Sequence, residues 1–222
     1  MDTKATTDNN RMAETDLKIL PIFRQMGRRL DYLPGLHVAE PPRRVSRSRR
    51  MDKLILLLSF DTPAFSDERL ADLLTRLEGI YYQKNGSTTS AMRELIEELN
   101  NLILNLNLKY AGERPQVTGT IGVIVVRGDL LFLAQSGPGH FFALLPGKLD
   151  YLHDDNLNMR GLGSSRTPTV YYAQLQFAPG DRFIFSTTLP DGWDANTFTD
   201  AYDSLLEKAR RRHTHLLLLH RS

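Results

Sequence analysis

Between residues 118 and 188 the chain is a succession of short apolar segments separated by tight-turn sequences. TGTIGVIVVRG, DLLFLAQSG, HFFALLPG and KLDYL come first, then VYYAQLQF and DRFIFSTT. Each is too short for a typical helix and is bounded by turn signals, so strands are predicted. Arg127-Gly128-Asp129 and Pro146-Gly147-Lys148 are hairpin sequences, which predicts an antiparallel meander. The last two segments are expected to pair across Pro179-Gly180-Asp181.

The chain before this region has a different period. KLILLLSF at residues 53–60 is an unbroken apolar run, the pattern of a strand buried on both faces. Asp61-Thr62-Pro63 ends it, and Ser66 with Asp67 and Glu68 reads as a helix start. Leu70, Leu73, Leu74, Leu77 and Ile80 then recur at helical spacing. After Gly86-Ser87-Thr88-Thr89, a second helix presents Leu95, Ile96, Leu99, Leu102, Ile103, Leu106 and Tyr110 as one stripe, read as packing against a sheet. FTDAYDSLLEKARRR is predicted as a late helix capped by Asn196 or Thr197, and HTHLLLLH as a closing strand. This order implies an α+β layered protein, not a doubly wound parallel sheet.

Bulk properties narrow the class further. The chain has 222 residues and 41% hydrophobic content, enough for one domain with a tail. It has no cysteine, which excludes disulfides, thiolate catalysis and cysteine-based zinc sites. No apolar run reaches the roughly 18 residues of a membrane span, and the polar start has no signal core, so a cytoplasmic protein is expected. Residues 1–50 carry 11 Lys/Arg against 6 Asp/Glu, whereas residues 51–222 carry 17 against 20. The division expected is a flexible basic arm with a docking segment at 1–34 and a folded domain at 35–222.

The order of parts over residues 36–220 resembles the metal-dependent protein phosphatase family (PPM-type). Gly119-Thr120 opens a strand. Ser136-Gly137-Pro138-Gly139-His140 stands where the family has a Gly-Asp-Ser-Arg turn. Arg160-Gly161-Leu162-Gly163 is similar to its leucine-glycine turn, and Asp181-Arg182-Phe183-Ile184-Phe185 to the strand leading to a metal-binding Asp-Gly. The resemblance implies an α/β-sandwich of mostly antiparallel sheets flanked by helices. It also implies, for an active member, hydrolysis of Ser/Thr phosphoesters by water activated on paired manganese or magnesium ions.

The acids that would hold those ions are largely replaced. An Asn-Glu-Asp-like motif is expected ahead of the first strands, and residues 47–52 read Arg-Ser-Arg-Arg-Met-Asp instead. The first Asp-Gly becomes Asp61-Thr62, leaving Asp61 as a weak remnant ligand. The later Asp position is Thr188, and Arg211-Arg212-His213-Thr214 precedes the last strand where an Asp-Asn is expected. A pair of hard cations needs several converging carboxylates. The reading is therefore a pseudophosphatase-like binding or signalling module with no catalytic residue, a protein partner and no cofactor. An active phosphatase would use Asp61 with shifted carboxylates such as Asp191 or Asp194.

Other constellations have plainer readings. Arg43, Arg44, Arg47, Arg49 and Arg50 form a solvated basic linker or a contact for a nucleic acid, an anionic surface or an acidic partner, and Ser46 and Ser48 lie among them as candidate kinase targets. Asp191-Gly192-Trp193-Asp194 reads as a turn with Trp193 on the sheet. His213 and His215 read as solvent-facing strand residues, lacking a third metal ligand. Residues 161–166 read as a loop that does not open a helix and so lacks half of a phosphate cradle. Nothing positions Ser136 and His140 as a hydrolytic pair.

Overall fold

The two hydrophobic periods become two sheets and a helical layer. The computed structural model describes residues 17–25, 28–30, 32–62, 65–154, 160–189, 192–193, 197, 204, 207–208 and 214–221. In chain order the elements are β1 (Leu17–Gln25), β2 (Arg28–Leu30), β3 (Leu36–Ala39), β4 (Lys53–Phe60), α1 (Asp67–Gln83), α2 (Thr88–Lys109), β5 (Gly119–Arg127), β6 (Leu130–Ser136), β7 (His140–Leu145), β8 (Lys148–Tyr151), β9 (Tyr171–Gln176), β10 (Arg182–Thr188) and β11 (Thr214–Arg221). One sheet runs β2-β1-β11-β10-β7-β8 and the other β3-β4-β5-β6-β9. Every strand pair is antiparallel.

β4 shows why its apolar run is unbroken. Side chains alternate across a strand, and both faces of β4 are covered. Ile55 and Leu57 join Ile124, Leu131 and Leu133 in the layer between the sheets, opposite Phe141, Phe183, Phe185, Leu217 and Leu219. Leu54, Leu56 and Leu58 face the helices, against Leu74 and Leu77 of α1 and Leu95, Leu99 and Ile103 of α2. Both helix starts follow the capping rule: the Ser66 and Ser87 hydroxyls accept N–H bonds from Arg69 and Ser90. The outer face of the six-stranded sheet is apolar too, with Ile22, Phe142, Ile184, Leu216 and Leu218 buried and Trp193 packed against them.

The expected α+β sandwich of antiparallel sheets flanked by helices is the observed architecture. Three local expectations are corrected. The meander is divided: β5 pairs with β6 and β7 with β8, but residues 137–139 carry the chain from one sheet to the other. β9 and β10 do not pair. β9 borders β6, β10 lies between β7 and β11, and buried Phe177 marks the crossing.

The third correction concerns the arm. Residues 17–34 do not form a detached docking segment, because β1 is in register with β11 from Leu17↔Arg221 to Arg24↔Thr214. Eight paired positions and a shared apolar face outweigh the penalty of Pro21. That residue lies where β1 has one neighbour among the described residues, since β2 covers only Phe23 to Gln25. The folded unit thus begins by Leu17. Residues 1–16 and most of the expected late helix, including its Asn196 cap, lie outside the described residues. No helix among the described residues is long and apolar enough to cross a membrane.

Candidate functional site

Strand registers bring the sequence-flagged positions to one end of the sandwich. Phe60 pairs with Gly119, Ile121 with Ser136, His140 with Ser186 and Thr188 with His215. The exit of β4, the entry of β5, the 137–139 turn and the junction of β10 with β11 therefore share an edge.

Asp61 is here, and its carboxylate is engaged. Its Oδ1 accepts the Thr118 backbone N–H at 2.8 Å and its Oδ2 accepts the Thr118 hydroxyl at 3.0 Å. The Asp61 N–H donates to the Thr118 carbonyl at 3.0 Å. The side chain closes the β4–β5 ladder beyond Gly119, as a cap closes a helix start.

On the other sheet, side chains next to the expected acid positions bond to each other. The Thr187 hydroxyl lies 2.8 Å from His215 Nδ1, and His215 Nε2 lies 3.0 Å from the Pro34 carbonyl. A carbonyl only accepts, so in the neutral ring Nε2 carries the proton and Nδ1 accepts from Thr187. This corrects the solvent-facing reading of His215: it is 7% exposed and set edge-on to Phe23. His213 lies outside the described residues. Thr188 is exposed at a bulge, its carbonyl accepting the Ser186 hydroxyl.

Below this edge the gap is filled by an aromatic ring. A Cβ placed on Gly122 would come 2.7 Å from Phe185, and one on Gly139 would come 3.0 Å from the same ring. Only glycines let Phe185 sit between the sheets there. In the adjoining turn, Gln135 Nε2 donates to the Gly139 carbonyl at 2.6 Å.

The remaining candidates resolve as plain structure. Three N–H groups of the 161–166 loop are already bonded within the protein: Leu162 N–H goes to Gly119 O, Gly163 N–H to Asn100 Oδ1 and Ser164 N–H to Gly161 O. Ser136 is buried and donates to Thr169 O, while His140 Nδ1 meets the Tyr151 hydroxyl, and no hydrogen bond joins Ser136 to His140. Burial lowers the His140 pKa below its ordinary value. Gly192 has a turn conformation with φ of 76°, and Asp191 and Asp194 lie outside the described residues.

Paired divalent cations do not fit the donor set seen here. Asp61 is already bonded to Thr118, and no group of three or more His, Cys, Asp or Glu among the described residues could hold a metal ion. Residues 47–52, expected to stand ahead of the first strands, instead follow β1, β2 and β3 and lie at the opposite end.

That opposite end contains a cluster no motif announced. Asp52 is fully buried and accepts from Arg127 Nη2 at 2.9 Å and from the Tyr81 hydroxyl at 2.6 Å. Arg127 Nη2 also reaches the Thr88 hydroxyl at 2.9 Å, tying β5 to the start of α2. Arg49 is corrected here: it is not an outward contact but 0% exposed, with Nη1 3.6 Å from Asp52 and Nη2 donating to Gly86 O at 2.9 Å. Burial, then the bond to Asp52, raises the Tyr81 pKa far above its usual range. The bond to Asp52 also raises the pKa of Arg127. An aspartate directly ahead of an apolar strand was the one signal in the sequence.

Two facing antiparallel sheets with α1 and α2 on one of them define a PPM-phosphatase-like α+β sandwich. The chain is similar in structure to a bacterial serine phosphatase bearing a point mutation, with a TM-score of 0.65 at 10% identity over 93% of this chain and 98% of that one. It is similar to PppA, a key regulatory component of T6SS in Pseudomonas aeruginosa, with a TM-score of 0.61 at 13% identity over 93% and 98%. It is also similar to the catalytic domain of the serine/threonine protein phosphatase PstP in complex with two manganese ions, with a TM-score of 0.57 at 13% identity over 91% and 96%. No family model and no curated protein matches the sequence.

Proposed function

We propose that this chain is a non-catalytic module on a PPM fold, cytoplasmic and working by protein contact in signalling. The observation that carries this reading is the engagement of Asp61. The one carboxylate retained at the expected ligand positions among the described residues caps the β4–β5 ladder through Thr118. Thr187 and His215 bond to each other, and Phe185 packs between the sheets against Gly122 and Gly139. Such a set offers no converging negative charge to concentrate two cations and so no activated water for phosphoester hydrolysis.

Manganese and magnesium calorimetry on the whole chain, with p-nitrophenyl phosphate turnover in the same buffers, tests the reading. The expected result is no stoichiometric uptake and no turnover above background. Metal-dependent turnover that Asp61→Ala abolishes would overturn it, and the chain would then be a Mn- or Mg-dependent phosphatase with an altered metal site.

A further inference from the structure

Residues 43–50 place five arginines in eight positions, and the fold divides them. Arg49 turns inward against Tyr81 and Asp52. Arg43, Arg44, Arg47 and Arg50 are exposed, and none is paired with a carboxylate among the described residues. They ride on a pinned segment. Ser46 N–H donates to Tyr82 O at 3.0 Å, Arg49 N–H to Ser46 O at 2.9 Å, and Arg127 to Ser48 O at 3.1 Å. The Ser46 hydroxyl donates to Asn85 Oδ1 at 2.8 Å. Beside Asn85 lies a shallow recess of about 400 Å³ lined by Ile80, Gln83, Lys84, Asn85 and Glu94. Lys84 and Glu94 form an ion pair within it.

We infer that this turn is a docking surface for an acidic peptide segment of a partner protein, with Arg43, Arg44, Arg47 and Arg50 meeting its carboxylates. This goes beyond the non-catalytic reading and does not depend on it. Guanidiniums match carboxylates in geometry, and a pinned backbone lowers the entropy lost on binding. The four exposed arginines lie within eight residues, a footprint that suits a short acidic segment rather than an extended polyanion. No aromatic residue lies within 43–50 for bases to stack on, which disfavours single-stranded nucleic acid. Met51, 57% exposed, borders the arginines and offers the apolar contact a peptide can use.

The test is fluorescence anisotropy of a labelled hexaglutamate peptide with the full chain at low salt. Alongside it run oligothymidylate of equal charge and phosphatidylserine vesicles. In the variant with Arg43, Arg44, Arg47 and Arg50 all changed to alanine, peptide affinity is expected to fall about tenfold or more, as four exposed ion pairs of modest strength predict. The melting temperature should hold, and Arg76→Ala with Lys109→Ala should bind like the parent. Any one of four results overturns the proposal. These are no peptide binding by the parent chain, unchanged affinity in the fourfold variant, equal loss in the control variant, and tighter binding of oligothymidylate or vesicles than of peptide.

Discussion

Asp61 holds Thr118 by two bonds at once, its two carboxylate oxygens accepting the backbone N–H at 2.8 Å and the hydroxyl at 3.0 Å. The residue that a phosphatase pattern marks as a metal ligand here joins the end of β4 to the approach to β5. Asp61→Ala should therefore lower stability by about 1–2 kcal/mol, the range of a lost cap or a pair of exposed hydrogen bonds. Asp61→Asn should recover part of the loss, because its amide oxygen still accepts the Thr118 N–H. Thermal unfolding with and without manganese reads both. A manganese-dependent rise in melting temperature that vanishes in Asp61→Ala would contradict the capping role.

Asp52 is the hub of the far end, buried between Arg49, Arg127 and Tyr81. Removing one partner of a buried ionic cluster leaves the others uncompensated. Asp52→Ala should cost about 3–5 kcal/mol in urea unfolding. Tyr81→Phe removes one hydrogen bond and should cost about 1–2 kcal/mol. If Asp52→Ala unfolds no earlier than Tyr81→Phe, the hub assignment is wrong.

Phe185 and Gly122 form a close pair across the two sheets. Gly122→Ala should destabilise by about 1–3 kcal/mol through overpacking against the ring. Phe185→Leu alone loses aromatic volume, but in the double variant it makes room for the new methyl. The two effects should then sum to less than the singles predict, a coupling that a double-mutant cycle measures directly. Additive losses would show that the ring is not the obstacle.

His140 gives the acid limb a defined sign. Burial lowers its pKa below the ordinary 6.5, so in the window under that value the unfolded chain binds more protons than the folded one. Stability from this group is full above that window and is lost as pH falls through it. Melting temperatures between neutral and mildly acidic pH should drop less in His140→Gln than in the parent chain. An identical drop would remove His140 from the acid response.

Much of the fold was legible because period and punctuation agree. The unbroken run of β4 announced two covered faces, and the stripes of α1 and α2 announced a sheet beneath them, with Ser66 in its capping role. Pairing was less so. β1 looked like a basic docking arm because Pro21 and Gly27 broke its pattern locally, and its partner β11 lies at the other end of the chain.

Residue types and their spacing alone therefore determined that this chain is an α+β sandwich of antiparallel sheets flanked by helices. Tertiary structure decided what the remaining polar groups do. Asp61 became a ladder cap, His215 a buried partner of Thr187, and Arg49 a core residue while its four neighbours stayed outside. The physical reason is that hydrogen-bond partners and burial are set by strands and turns distant in sequence. A charged residue in an exposed-looking run turns inward only when the fold delivers a carboxylate and carbonyls to meet it.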